Sequence, residues 1–378
     1  MFFRFTFQAS VATVTCACVL SCVSVQAAGP DAPPGFRVET IAHVRLAREL
    51  AATADGALIV GTGGSGVFVI RDAEGTPQPP ELLVDVGDAP AAGVALGPGA
   101  LYIGSQFAVW RVPYGQGAQG MQRPVKIESV RPGGSGGHDT TSVAVAAGHL
   151  FYSVGASCNA CTERDPTRAS IFEADLDGRD SHLVAKRIRN AIALAVQPGT
   201  DAVWAGVAGQ DELEHGHPYE IFDPFTAHAG TPDYGWPICY ENRRPVHAGD
   251  DCSQVAVSRV VFPAYDTPIG AVFYPLHESG RYAFPPEYAG GAFVAMHGSW
   301  HLPPVPPRVA FVPFRDGEPD RAVDWNDPTV QWREFLSGFQ GGFGWRIGRP
   351  TGVAVGSQGS LFVADDKAGV VYRIRPSR

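Results

Sequence analysis

Three side chains able to do chemistry stand immediately ahead of short apolar strands. His138 lies in Gly137-His138-Asp139-Thr140, Arg189 in Arg189-Asn190, and Arg349 in Gly348-Arg349-Pro350. Guanidinium forks bind carboxylates and phosphates bidentately, and a neutral histidine beside them can accept a proton. If these residues meet, they form a site for a small polyanion with a base next to it. If they do not, the arginines bridge neighbouring elements through aspartates or carbonyls. The outcome depends on the elements that carry them.

Those elements recur. Six times an apolar strand ends in a glycine-containing turn and a second apolar strand follows: RELAATADGALIVG, GVALGPGALYIG, SVAVAAGHLFYS, AIALAVQPGTDAVWAG, GAVF with GGAFVAM, and TGVAVGSQGSLFVAD. Anchored on Leu58, Leu101, Leu150, Val203, Phe293 and Leu361, the copies lie 43, 49, 53, 90 and 68 residues apart. A third strand often follows, as in GVFVIRD, AVWRVPY and GVVYRIR. Short strands recurring at this period predict a β-propeller, here all-β and six-bladed, with loops inserted in the long intervals. GFRVETIAHV precedes the first copy and is expected to add an outer strand to the last blade, closing the ring. In such a ring the residues just before each innermost strand reach one channel mouth. His138, Arg189 and Arg349 therefore converge there, with Arg48 and Glu49, Pro90-Ala91-Ala92, and Asp266-Thr267-Pro268 supplied by the other blades.

Composition agrees. Gly 45 and Pro 32 make up about a fifth of 378 residues, against roughly 12% in an average protein. That excludes long-helix bundles and coiled coils. Lys+Arg 29 against Asp+Glu 38 gives a net charge of −9, a poor balance for binding nucleic acid or anionic membranes. No apolar stretch beyond the N-terminus approaches the roughly 20 residues of a membrane helix. Residues 1–27 read as an export signal, with Arg4, an apolar run to Leu20, and small residues Val25 and Ala27 before a cleavage point. Val19-Leu20-Ser21-Cys22 also resembles a lipobox. Residues 28–378 are expected to form one propeller domain, periplasmic or secreted.

Four cysteines remain beyond the signal, and an even count in an exported chain suggests two disulfides, Cys158–Cys161 and Cys239–Cys252. Cys158-Asn159-Ala160-Cys161 also has the spacing of a redox or zinc site. It sits in a strand context without a second such pair.

PPGFRVETIA, GGH followed by FYSVGASCNAC, RIRNAIALAV, PDYGWPICY, VAMHGSWH and GRPTGVAVGSQGSLFVADDKAGVVYRI together resemble the soluble glucose/sorbosone dehydrogenase family of quinoproteins. The sorbosone dehydrogenase-like branch, with its CNxC element, is the nearest in pattern. The resemblance implies a six-bladed propeller holding pyrroloquinoline quinone (PQQ) and Ca²⁺ over the channel mouth. It implies oxidation of an aldose or related sugar aldehyde, with electrons passed to an external cytochrome or quinone. His138 matches the general base, Arg189 and Asn190 the pair contacting the quinone, and Arg349 an arginine that pairs with a PQQ carboxylate. Gly209 and Gln210 match carbonyl donors to calcium, and Asp211 adds a hard oxygen ligand.

The chain departs from the family pattern at several points. RNPxGL becomes Arg189-Asn190-Ala191-Ile192-Ala193-Leu194, and HGSW is followed by His301-Leu302 in place of Asn-Arg. Arg308 or Arg346 is then expected to restore the missing charge. Val207 stands where a polar residue usually precedes the metal loop. A non-catalytic propeller binding a sugar or protein, and a metal-dependent lactonase, are the alternative readings. Specificity is expected from the loops about 205–250 and 298–345. Trp300, Trp325, Trp332 and Trp345 are candidates for sugar stacking or for packing.

Overall fold

The computed structural model describes Met1 and residues 29–115, 123–131, 133–134, 137–301 and 303–377. The rest of the expected export signal, including Cys22, lies outside the described residues.

Six antiparallel four-stranded sheets form the blades of a six-bladed β-propeller. Their innermost strands are Ala47–Ala52, Gly93–Gly97, Val143–Ala146, Ala191–Val196, Pro268–Phe273 and Pro350–Val355. Each inner strand contacts the next, and the last contacts the first, so the ring is closed. Closure uses the strand read from GFRVETIAHV. Phe36–His43 pairs with Val370–Pro376 in the sixth blade, from Phe36 opposite Pro376 to His43 opposite Val370. The N-terminal strand thus locks to the C-terminal one and covers an edge that would otherwise be open.

The sequence pattern explains the layering. Second strands such as Leu58–Thr62, Val203–Val207 and Ala292–Met296 are buried at every residue. They pack between neighbouring blades on both faces, so they read as continuous apolar runs rather than alternating ones. Outer strands such as Val125–Ser129 are mostly exposed. Six of the hydrophobic clusters span the six blade interfaces; the cluster of Trp204, Phe222, Phe273 and Val294, for instance, joins blades four and five. The glycine of each repeat has a geometric role: Gly56, Gly99, Gly148, Gly199, Gly290 and Gly359 all have positive φ between the first two strands of their blades. Near the axis, Gly270 and Gly352 have no room for a Cβ, which would strike the carbonyls of Thr351 and Arg48 in the next blade.

The strand directions send two passages of each blade to one mouth: the residues before the inner strand and the loop after the second strand. Those second loops are tight in blades one, two and six. They are long in blades three, four and five, at 155–169, 208–219 and 297–307, and wall one side of the mouth. The stretch about 205–250 is not one mouth loop. Residues 224–259 leave blade four between its third and fourth strands and climb back along the ring, where Asp233 bridges Lys186 and the Trp236 indole donates to the Asn159 carbonyl. Disulfides join Cys158 to Cys161 in the blade-three loop and Cys239 to Cys252 in this insertion. Neither cysteine pair is a free redox or metal-binding thiol pair.

Candidate functional site at the channel mouth

His138 enters from the connection into blade three. Its Nδ1 lies 3.1 Å from the Ala156 carbonyl oxygen. A carbonyl only accepts, so Nδ1 carries the proton and Nε2 keeps its lone pair. Burial lowers the imidazole pKa to about 4, and the Arg189 charge adds to the shift; the Ala156 bond and Asp211 oppose it. The ring is therefore neutral at physiological pH. Arg168 fixes the backbone beneath, donating from Nη2 to the His138 carbonyl at 2.9 Å.

Arg189 begins blade four with φ +25° and is almost fully buried. Its fork is already occupied. Nε donates to the Asn159 carbonyl at 3.0 Å, Nη1 to the Ala208 carbonyl at 2.9 Å, and Nη2 to Asn159 Oδ1 at 2.9 Å. Asp211 Oδ2 lies 3.6 Å from Nη2. Asn159, inside the Cys158–Cys161 loop, also accepts from the Asp211 amide at 2.8 Å and donates to the Asp211 carbonyl at 3.0 Å. Arg189 and Asn159 thus clamp the blade-three loop to the blade-four loop. The neighbouring Asn190 is buried, and its Oδ1 has no hydrogen-bond partner.

Gly209 and Gln210 lie in that blade-four loop. The Gly209 amide donates to Glu220 Oε2 at 2.6 Å, and the Tyr265 amide to Oε1 at 3.1 Å. Burial nevertheless raises the Glu220 pKa to about 8. Asp211 is a half-buried carboxylate of the loop, followed by the exposed Glu212 and Glu214. Among the described residues, the only His, Cys, Asp and Glu grouping with metal-site spacing is Cys158, Cys161 and Glu163, and its sulfurs are joined to each other.

Arg349, ahead of blade six, belongs to a second cluster. It grips Asp366 bidentately, Nε to Oδ1 at 2.7 Å and Nη2 to Oδ2 at 2.8 Å. Arg48 of blade one reaches the same carboxylate at 3.2 Å. His297, from the HGSW motif, has Nε2 3.7 Å from Asp366. Burial, then Arg48, Arg349 and Arg346, holds its pKa well below the ordinary value. Glu49 is pushed up to about 8 by burial. Arg48 and Arg349 thus share the single Asp366 carboxylate, and Arg346 lies close enough to Arg349 to feel its charge, which leaves a formal positive surplus.

Arg308 follows directly on the blade-five mouth loop. It starts the third strand of blade five, 3.7 Å from Asp266, 3.5 Å from Glu334 and 5.4 Å from the Trp332 ring centre. Asp266 is fully buried, neither carboxylate oxygen has a hydrogen-bond partner, and burial raises its pKa to about 7. Arg308 thus faces carboxylates of its own blade, while Arg346 lies within the field of Arg349.

Asn159, Glu220, His297 and Asp366 were not singled out from the sequence. All but Glu220 lie just after a second strand, so reading that passage in every blade, as the one before the inner strand was read, would have found them.

The model of a family described as TrAA12-like matches residues 235–377. A curated relative, an uncharacterized protein of Borreliella burgdorferi, is 25% identical over 218 residues, 54% of this chain and 52% of its own length. The chain thus spans about half the length of the curated relative it matches. Among solved structures, the holo PQQ domain of Coprinopsis cinerea pyranose dehydrogenase superimposes with TM-score 0.76 at 16% identity, covering 92% of this chain and 97% of that one. The calcium structure of a Trichoderma reesei carbohydrate-active enzyme of family AA12 gives 0.74 at 19%, with 92% and 97% covered. The apo soluble aldose sugar dehydrogenase of Escherichia coli gives 0.65 at 14%, with 90% and 100% covered. At these identities the likeness is one of fold.

Proposed function

We propose that this chain is a PQQ-dependent sugar oxidoreductase acting at the mouth lined by blades three to six and blade one. The observation that carries the reading is the pairing of a neutral, tautomer-fixed His138 with a surplus of arginine charge at the same mouth. PQQ has three carboxylates, and its fit rests on two features. Arg48, Arg346 and Arg349 outnumber Asp366, and Asn190 keeps a buried amide oxygen without a protein partner. Arg349 and Arg48 would hold carboxylates, and Asn190 would offer its amide oxygen to a cofactor N–H or its amide N–H to a quinone oxygen. Arg189, whose donors are occupied, acts by shaping the Asn159–Asp211 wall.

When bound, PQQ supplies a two-electron acceptor for the carbon bearing the reacting hydroxyl. The chain's own part is proton handling. His138 Nε2 accepts the hydroxyl proton, Ala156 holds Nδ1–H so that the tautomer does not switch, and burial, helped by the Arg189 charge, keeps the imidazole from being protonated beforehand. A base so placed contributes about 10²–10⁴-fold in rate. An aldose or sugar aldehyde is the substrate class proposed, with a cytochrome or quinone as external acceptor. The leader-like N-terminus and the two disulfides support a location outside the cytoplasm.

Calcium rests on a smaller donor set: the Gly209 and Gln210 carbonyls, with the Asp211 carboxylate next in the chain. A lactonase reading needs an acidic side-chain cage, and the described residues present none at the mouth. The test is an absorbance titration of the purified apo-protein with PQQ, with and without Ca²⁺, followed by aldose-dependent dye reduction. Saturable binding and dye reduction are expected. No spectral change and no oxidation of any aldose would overturn the reading.

A further inference from the structure

Beside the mouth, between blades four and five, lies a groove of about 500 Å³ that the proposed proton chemistry does not use. His217, Tyr219, Tyr265, His301 and Pro303 are among its lining residues. Its lining rings belong to two stacks, each continued beyond the lining by a tryptophan. Tyr265 and His301 lie 3.8 Å apart and 16° from parallel, and Trp300 continues the stack at 4.4 Å and 16°. Trp300 is 76% exposed, so the column ends in an open indole face. Opposite, His217 stacks on Tyr219 at 5.0 Å, and Tyr219 lies 3° from parallel with Trp325 at 6.5 Å.

The groove adjoins the site through one side chain. His301 Nε2 is 3.7 Å from Asp211 Oδ1, and that carboxylate is 3.6 Å from Arg189. Both His301 ring nitrogens are buried without a hydrogen-bond partner. Aromatic faces with a few convergent polar atoms suit a ligand that is apolar on its faces and polar on its rim. A pyranose ring is such a ligand: its axial C–H bonds form the faces and its hydroxyls the rim. Charge selects among sugars. At the same margin Glu241 lies 2.5 Å from His217 Nδ1 and Glu214 accepts from the Tyr240 hydroxyl at 2.8 Å, and Arg244 pairs with both, 2.7 Å from Glu214 and 3.4 Å from Glu241. Two carboxylates against one guanidinium leave the margin with an acidic excess that disfavours a uronic acid.

We propose that this groove holds a second, non-reacting ring, so that the favoured substrate is a neutral pyranose oligosaccharide rather than a free monosaccharide. The proposal rests on the oxidoreductase reading for the reacting ring, but the groove can be tested without the cofactor. Calorimetry on the full apo-chain with cellotriose, maltotriose, glucose and a trigalacturonate separates the two. At least one neutral trisaccharide should bind with saturation, more tightly than glucose, and the trigalacturonate should not. Trp300→Ala removes an exposed ring without disturbing the core. It should weaken the trisaccharide about fivefold or more and leave glucose unchanged; His217→Ala should act the same way from the opposite wall. With PQQ added, wild type should show a higher kcat/KM for the bound trisaccharide than for glucose, and Trp300→Ala should remove that advantage through KM. Trisaccharide binding without any PQQ-dependent oxidation would sink the oxidoreductase reading and leave the groove standing. Oxidation of glucose with no trisaccharide binding, or trisaccharide binding indifferent to both variants, would overturn the groove.

Discussion

His138 Nδ1 and the carbonyl oxygen of Ala156 are 3.1 Å apart, and Ala156 begins the loop that carries the Cys158–Cys161 disulfide and Asn159. The same loop therefore fixes the tautomer of the proposed base and, through Asn159, the position of Arg189. A short covalently closed segment of blade three sets the chemistry of two neighbouring blades.

The first prediction concerns that base. With the His138 pKa lowered to about 4, the acid limb of kcat/KM is expected near pH 4, not near the ordinary 6.5. His138→Gln keeps a polar side chain of similar reach but no base, and should cost about 10²–10⁴-fold in kcat with PQQ affinity little changed. The linkage has a definite sign. A histidine held neutral in the fold contributes stability that is complete above about 6.5 and is lost as pH falls toward 4. An acid limb at pH 6.5, or full activity in His138→Gln, would remove His138 from the mechanism.

The two arginines should separate in their effects. Arg189 is buried with every donor nitrogen engaged, so Arg189→Ala leaves the Ala208 carbonyl unpaired and takes one of two donors from each Asn159 oxygen, which keep the Asp211 amide and the Trp236 indole. A loss of about 1–3 kcal/mol in stability is expected. The Arg349 side chain is 37% exposed, so Arg349→Ala should leave the unfolding midpoint nearly unchanged and weaken PQQ about tenfold or more. Urea denaturation and PQQ titration of both variants check this. The reverse pattern would show that Arg189, not Arg349, holds the cofactor.

Much of this was legible in the sequence because a propeller is periodic. Leu58, Leu101, Leu150, Val203, Phe293 and Leu361 all fall in second strands, since each blade must bury that strand on both faces. The closing strand at Phe36 was legible for the same reason: an unpaired edge needs a partner. The partners of the charged groups were not. Nothing local distinguishes Asp366 from Asp365, yet Asp366 meets Arg349 and Arg48, while Asp365 caps its own turn through the Lys367 and Ala368 amides. Asn159 was hidden between cysteines read only for their bond. The path of residues 224–259 back to the mouth is held by the Asp233 bridge to Lys186, the Arg187–Asp233 pair and the Trp236–Asn159 bond, pairings with no periodic signature.

Glu220 gives a pH-dependent stability. Two backbone amides favour its ionised form, but burial dominates and raises its pKa to about 8. A raised carboxyl stabilises the fold at low pH, and that contribution is lost as pH climbs from about 4.5 through 8. Glu220→Gln cannot ionise, so its stability relative to wild type should improve over this window by an amount of the order of a few kcal/mol. Urea midpoints at pH 5 and 8.5 provide the measurement, and a difference that stays flat would show the carboxylate to be ionised in the fold.

The two disulfides should do different work. Cys239–Cys252 closes a loop whose ends are 13 residues apart in sequence, worth about 3 kcal/mol by chain entropy. Cys158–Cys161 closes one whose ends are only 3 apart, worth about 2 kcal/mol on the same scale, but it encloses Asn159, which touches Arg189 and Asp211. The Cys239→Ser, Cys252→Ser pair should therefore lose more stability and keep its kcat. The Cys158→Ser, Cys161→Ser pair should lose less stability and more kcat, with the acid limb of its pH profile moving up as Arg189 relaxes its hold near His138. Denaturation and pH–rate profiles of the two double variants decide the matter. Equal effects on kcat would mean that Asn159 keeps its place without the covalent bond around it.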